Sequence, residues 1–220
     1  MVNDVDIVRL IERAPLRTVR YVELRELGTN MWRTLDRLAN QGAVARLAHG
    51  VYTVPPNGRD GRTWRPTLEA AGLAVATARF GNRNAILMGL GAARHWAAIP
   101  RAIGITTIAV PDAGRPPVEL DGGGRVHLIP RDLDRLDAVL ETTELGPALV
   151  TRPAQTLYDL TMKPAQGGMP DEAAAAARYL QARVRAEELQ AVVDTFGRAN
   201  PALRKMLKAM AEEAWHGAER

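Results

Sequence analysis

The sequence predicts an α+β protein: an N-terminal winged helix-turn-helix followed by a mixed α/β domain with a helical C-terminal tail. Three observations predict it. Residues 19–54, VRYVELRELGTNMWRTLDRLANQGAVARLAHGVYTV, read as helix, tight turn, helix and two short alternating strands. Apolar, β-branched runs then recur at 104–110 (GITTIAV), 125–129 (RVHLI) and 148–151, interleaved with helical patterns. From about residue 170 onward only helical patterns remain. A length of 220 residues suits two domains. The boundaries fall at 1–58 for the winged module, 59–66 for a linker and 67–220 for the body.

Asp4 to Arg13 predicts a helix with Val5, Ile7, Val8 and Ile11 on its apolar side, stopped by Ala14-Pro15. Leu16 to Val19 suits a short strand. Leu24 and Leu27 give the next helix an apolar side, and Gly28 ends it. Thr29 or Asn30 is placed to cap a helix from Met31 to about Gln41, with Gly42 terminating it. At about 100° per residue, Met31, Leu35, Leu38 and Ala39 share one face of that helix, while Arg33, Arg37 and Asn40 lie opposite and Trp32 on a flank. Residues 44–47 and 50–54 pair as a hairpin around Ala48-His49.

This is the pattern of a module whose second helix enters the major groove of duplex DNA. Arg forks onto the O6 and N7 edges of guanine, and Asn does the same for adenine. The reading set is therefore Asn30, Trp32, Arg33, Thr34 and Arg37. The alternative is an ordinary helical hairpin with Arg33 and Arg37 as solvated charges. His49 at the wing tip fits a phosphate contact or a simple turn. Residues 55–66, PPNGRDGRTWRP, predict a loop in which Arg59, Arg62 and Arg65 either follow the phosphate backbone or merely solubilise it.

In the body, 67–80 predicts a small-residue helix, 86–88 a buried segment, and 89–98 a helix ending before Pro100. Pro153 to Met162 predicts a helix packed on the sheet. Three tail helices follow: 171–183 capped by Asp171, 186–196 closed by Gly197, and one from Pro201 to about Trp215.

Charge separates the two parts. Residues 1–65 hold 11 Arg against 7 acids, whereas bases and acids cancel beyond them. A basic first third on a neutral body suits one part meeting a polyanion and the other meeting something else. No apolar run approaches the roughly 18 residues a membrane span needs, and the first ten residues carry acids where a secretory signal carries bases. A cytoplasmic location without membrane contact is expected.

Catalytic signatures are weak. The chain has no Cys, which removes disulfides and thiolate metal sites, and no Ser nucleophile. His49, His95, His127 and His216 have no metal-ligand spacing. His95 beside Trp96 reads as a packed core residue. Pro111-Asp112 with Glu119 and Asp121 resembles the acidic pair of a PD-(D/E)xK nuclease, but the Lys is missing and a Gly-rich turn explains the same letters. No catalytic residue, metal or cofactor is expected, and the protein is not expected to be an enzyme.

With these residues in view, the chain resembles the AbiE-type (AbiEi) antitoxins, transcriptional repressors of type IV toxin–antitoxin systems. The resemblance is carried by Gly42-Ala43-Val44-Ala45-Arg46-Leu47-Ala48-His49-Gly50-Val51-Tyr52-Thr53, by Ile86 to Ala93, by the strand Ile105 to Val110 with Pro111, and by Val150 to Leu160. Together these span most of residues 17–160. The resemblance implies a winged domain that binds inverted repeats in operator DNA of its own operon, with self-association on those repeats. It also implies a body that counteracts a cognate nucleotidyltransferase-like toxin protein. It places DNA contacts at Thr29 to Arg37 and in the wing from Arg46 to His49. A one-component transcription factor that senses a small molecule is the alternative among binding proteins.

Overall fold

The computed structural model describes residues 3–112 and 116–218, with side chains as far as Glu213. Part of the loop after Pro111, Trp215 and His216 therefore lie outside the described side chains. The architecture is mixed α+β with two sheets.

The first unit begins with α1 (Asp4–Arg13), whose N-terminus is capped by the Asn3 side chain. Ile7 and Ile11 are buried, but Val5 turns outward, which narrows the expected apolar side to one edge. Strand β1 (Thr18–Arg20) follows, then a one-turn α2 (Tyr21–Leu24) that tightens into a 3₁₀ turn over Arg25–Leu27. The helix expected before Gly28 is thus short. Helix α3 (Met31–Asn40) buries Met31, Leu35 and Leu38, as its periodicity predicts. Its expected cap is different, because Asn30 is left-handed (φ 62°) and its side chain makes no capping bond. Gly42 (φ 80°) supplies the left-handed turn that ends the helix.

Strands β2 (Ala45–Ala48) and β3 (Val51–Thr53) form the hairpin, turning at His49-Gly50, one residue beyond the expected turn. A bulge between Arg46 and Ala48 absorbs the shift. Strand β1 pairs with β3 from the other side, so the order is β1-β3-β2. Alternation along β3 sends Tyr52 and Val54 into the core beneath α1–α3 and Val51 to the opposite face.

That opposite face meets the second unit. Helix α4 (Leu68–Phe80), capped by the Thr67 hydroxyl, shares one core with Leu16, Ala45, Leu47, Ala48 and Val51. Its nearly all-round burial explains why its sequence shows small residues rather than a stripe. The stretch 59–66, expected to be a linker, is packed. The Gly61 amide bonds the Gly42 carbonyl (2.8 Å), and Trp64 is buried. A Cβ on Gly61 would sit 2.4 Å from the Val44 carbonyl oxygen. Gly61→Ala is therefore expected to cost about 1–3 kcal/mol in urea unfolding, and a change below about 0.5 kcal/mol would show the stretch to be loose.

The large sheet contains β4 (Ile86–Met88), β5 (Ile105–Val110), β6 (Val118–Glu119), β7 (Arg125–Pro130), β8 (Ala138–Thr143) and β9 (Gly146–Thr151). Its order is β6-β7-β5-β4-β9-β8, with β5/β7 and β4/β9 parallel and the other pairs antiparallel. Strand β5 is interior, as expected; β6 and β8 form edges that the sequence pattern does not mark. Helix α4 covers one face. The other carries α5 (Gly89–His95), α6 (Pro153–Met162), α7 (Pro170–Gln181), α8 (Ala186–Phe196) and α9 (Pro201–Ala218). Asp171 does not cap α7, because the helix begins one residue earlier with Pro170 in its first turn. His95 is half-buried rather than packed in the core, 3.4 Å from Glu141 with its ring edge-on to Trp96. No helix among the described residues is long and apolar enough to cross a membrane.

Candidate nucleic-acid interface

Helix α3 presents its polar side outward because Leu35 and Leu38 are drawn beneath it. Burying such a leucine contributes about 1.5–3 kcal/mol, enough to fix the rotation of a ten-residue helix. Arg33 lies on the exposed side and, among the described residues, forms no ion pair. Its guanidinium is free to meet a partner. Thr34 is half-buried one residue on, and Thr29 and Asn30 are exposed in the turn leading into the helix.

Arg37 is on the same side but is occupied. It forms a two-pronged bond to Asp4, Nη1 to Oδ2 and Nη2 to Oδ1 at 2.7 Å each. The fork holds the Asp4 carboxyl below its usual range and raises the Arg37 pKa. It joins α1 to α3 across the outer surface.

Trp32 ties the helix to its neighbours. Its ring meets Tyr21 edge-on at 5.2 Å, lies 5.9 Å from His49 at the hairpin turn, and is edge-on to Tyr52 at 6.3 Å. The Tyr21 amide donates to the Gly50 carbonyl at 2.7 Å. Helix, short helix and hairpin tip therefore form one contact group, with exposed His49 beside the outer end of α3.

Two expected contact residues are turned elsewhere. The Arg46 Nε donates to the Asp121 carboxylate in the loop after β6, which raises the Arg46 pKa. The Asp121 amide also donates to the Leu47 carbonyl (2.9 Å), doubling the attachment of the hairpin to the body. Arg62 chelates Asp60 with Nε at 2.9–3.0 Å and Nη2 at 2.5 Å. That contact and the Arg62 backbone amide hold the Asp60 pKa down at about 2. Neither arginine extends as a free basic arm.

The structure thus groups Thr29, Asn30, Trp32, Arg33, Thr34 and His49 around one outer surface, with Arg37 on it but paired. It separates Arg46 and Arg62. Asp4, Tyr21 and Asp121 are contributors that the sequence reading missed. Tyr21 carried a weak signal as an aromatic preceding an apolar helix. Asp4 and Asp121 carried none, being 33 and 75 residues from their partners.

The acids considered for nuclease chemistry go to different partners: Glu119 to Arg125 (2.5 Å) and Asp121 to Arg46. Among the described residues no three acidic or histidine side chains gather as a metal site.

No family model matches the chain, and no curated protein sequence does. The crystal structure of the RV2827C protein from Mycobacterium tuberculosis is similar in fold, with a TM-score of 0.60 over 94% of this chain and 75% of that one, at 18% identity. An antigenic nucleotidyltransferase-like protein from Paracoccidioides brasiliensis gives a TM-score of 0.36 at 14% identity, over 57% of this chain and 84% of that one.

Proposed function

We propose that the first unit is a winged helix-turn-helix that reads duplex DNA, within an antitoxin and autorepressor of the AbiE type. In this reading α3 enters the major groove and Arg33 addresses a base edge. Asn30 and Thr34 flank it, and His49 on the hairpin tip approaches phosphate. The body, residues 67–220, counteracts a nucleotidyltransferase-like toxin or mediates self-association on inverted repeats. The protein acts as a binding protein rather than an enzyme, in the cytoplasm.

The observation that carries the DNA reading is the unpaired Arg33 on the outer face of α3, beside a hairpin tip fixed to that helix through Trp32. The basic bias of residues 1–65 supports it. The antitoxin part rests on the family resemblance of residues 17–160.

The test is a salt titration of binding to the DNA directly upstream of the reading frame, with a scrambled duplex alongside. A steep log–log slope and a preference of about a thousandfold for the upstream duplex are expected. Weak, sequence-blind binding would reject a specific repressor. Co-expression with the adjacent gene product then tests neutralisation.

The Asp4 fork adds a further expectation. Asp4→Ala removes the anion competing with DNA for Arg37, so affinity at low salt should rise several-fold for operator and scrambled duplex alike. Unchanged or weaker binding would place Arg37 outside the DNA contact.

A further inference from the structure

Along the flank of α3 that carries Asp36 and Asn40, a polar cleft of about 460 Å³ opens between the helix, the hairpin, the 59–66 stretch and the loop after β6. Asp36 and Asn40 of α3, Arg46 of β2, Tyr52 of β3, Arg65 and Asp121 line it, together with Arg62, whose guanidinium is held by Asp60. Four separate parts of the chain bring these groups together.

Tyr52 is fully buried, and its hydroxyl has no hydrogen-bond partner among the described residues. Leaving a buried hydroxyl unpaired costs about 1–3 kcal/mol, so such a group calls for a reason. Tyr52 lines the cleft together with Asp36, Arg46 and Asp121. Burial foremost, and then the Asp36 carboxylate, raise the phenol's pKa, so at neutral pH it is an O–H able to donate.

The charged groups retain spare bonding capacity. Arg65 spends Nη1 on the Gly61 and Trp64 carbonyls and leaves its other edge free. Arg46 meets Asp121 through Nε. Asp36 is the acid of the cleft with no ion pair among the described residues. The guanidinium edges and a phenol O–H match the several acceptor oxygens of a phosphate monoester, whereas a carboxylate would be satisfied by one fork. Asp36, an acceptor only, is placed to take a donor from the same ligand.

We propose that this cleft binds a small organic phosphate, its phosphate on Arg65, Arg46 and the Tyr52 hydroxyl and a hydroxyl or N–H group on Asp36. The cleft adjoins the DNA-reading surface along α3 but uses neither Arg33 nor His49, so the proposal does not rest on the DNA reading.

The test is isothermal titration of the full chain at low salt with four probes: inorganic phosphate, citrate, ribose 5-phosphate and adenosine monophosphate. At least one organic phosphate should bind about tenfold or more tightly than inorganic phosphate or citrate. Arg65→Ala should weaken that binding by about tenfold, and Asp36→Asn should reduce the preference over inorganic phosphate. Tyr52→Phe should also weaken binding while leaving thermal unfolding unchanged or raised, since the lost hydroxyl bonds nothing in the free protein. Failure of all four probes to bind at millimolar concentration would overturn the proposal. Citrate binding as tightly as the organic phosphates, or affinity unchanged in Tyr52→Phe and Arg65→Ala, would do the same.

Discussion

Replacing Asp159 by Asn is expected to stabilise the protein by about 4 kcal/mol at pH 8 and by almost nothing at pH 4. Asp159 lies in the second turn of α6, against the large sheet, and is only 7% exposed. One carboxyl oxygen accepts from the Gln155 amide at 3.2 Å, and the other has no partner among the described residues. Burial raises its pKa from 3.8 to about 7, against the weaker opposing pull of Arg131, Gln155 and Lys163.

The sign of the effect follows from proton binding. Below the unfolded value both states hold the proton and stability is unaffected. Between pH 4 and 7 the unfolded chain has lost it while the folded protein keeps it. Stability therefore falls as pH rises through this window and levels off above about pH 7. Asn has the shape of the neutral acid and no charge to bury, so the variant lacks this slope. Urea unfolding of both proteins from pH 4 to 8 measures it. Parallel curves would mean that Asp159 ionises without penalty, through water or a rearranged Arg131.

Arg33→Ala is expected to weaken operator binding by about 1–3 kcal/mol while leaving binding to scrambled DNA little changed. The prediction depends on Arg33 having no ion pair among the described residues and lying on a helix whose buried leucines fix its orientation. Removing a base-reading fork costs specificity, whereas removing a phosphate contact weakens all DNA alike and lowers the salt slope by about one. Gel-shift titrations of the two duplexes at two salt concentrations separate these cases. Equal losses on both duplexes would make Arg33 a phosphate contact, and no loss on either would remove α3 from the interface. Arg62→Ala is a suitable comparison, because its guanidinium already holds Asp60.

The two tests probe different parts of the molecule. Asp159 and the α4–sheet packing concern the body. Arg33 concerns the unit in front of it. Because Leu47, Ala48 and Val51 share a core with α4, the hairpin's reverse side is held by the body. A substitution in the loop 120–124 could therefore reach the hairpin through Asp121 without touching DNA.

The order and type of most elements were legible in the sequence because each has a local cause. Leu35 and Leu38 fall at helical spacing, Gly42 accepts the φ of 80° that ends α3, Pro153 and Pro201 fit first turns, and Ile105–Val110 is β-branched and buried on both faces. The exposed side of α3, and Arg33 on it, follow from the same periodicity. Only the tertiary structure decided how the charges are used. Arg37 and Arg46 look alike as letters, yet one grips Asp4 and the other Asp121 across the fold, while Arg62 holds Asp60 two residues away. It also decided that 59–66 packs against the hairpin, that β8 completes the sheet edge, and that the Tyr52 hydroxyl is buried beside a polar cleft. Helical and strand periods arise from backbone geometry within a few residues, so a single segment carries them. Ion pairs, edge pairing and clefts depend on groups as far apart as Arg46 and Asp121, which meet only after α4 and the large sheet have brought them together.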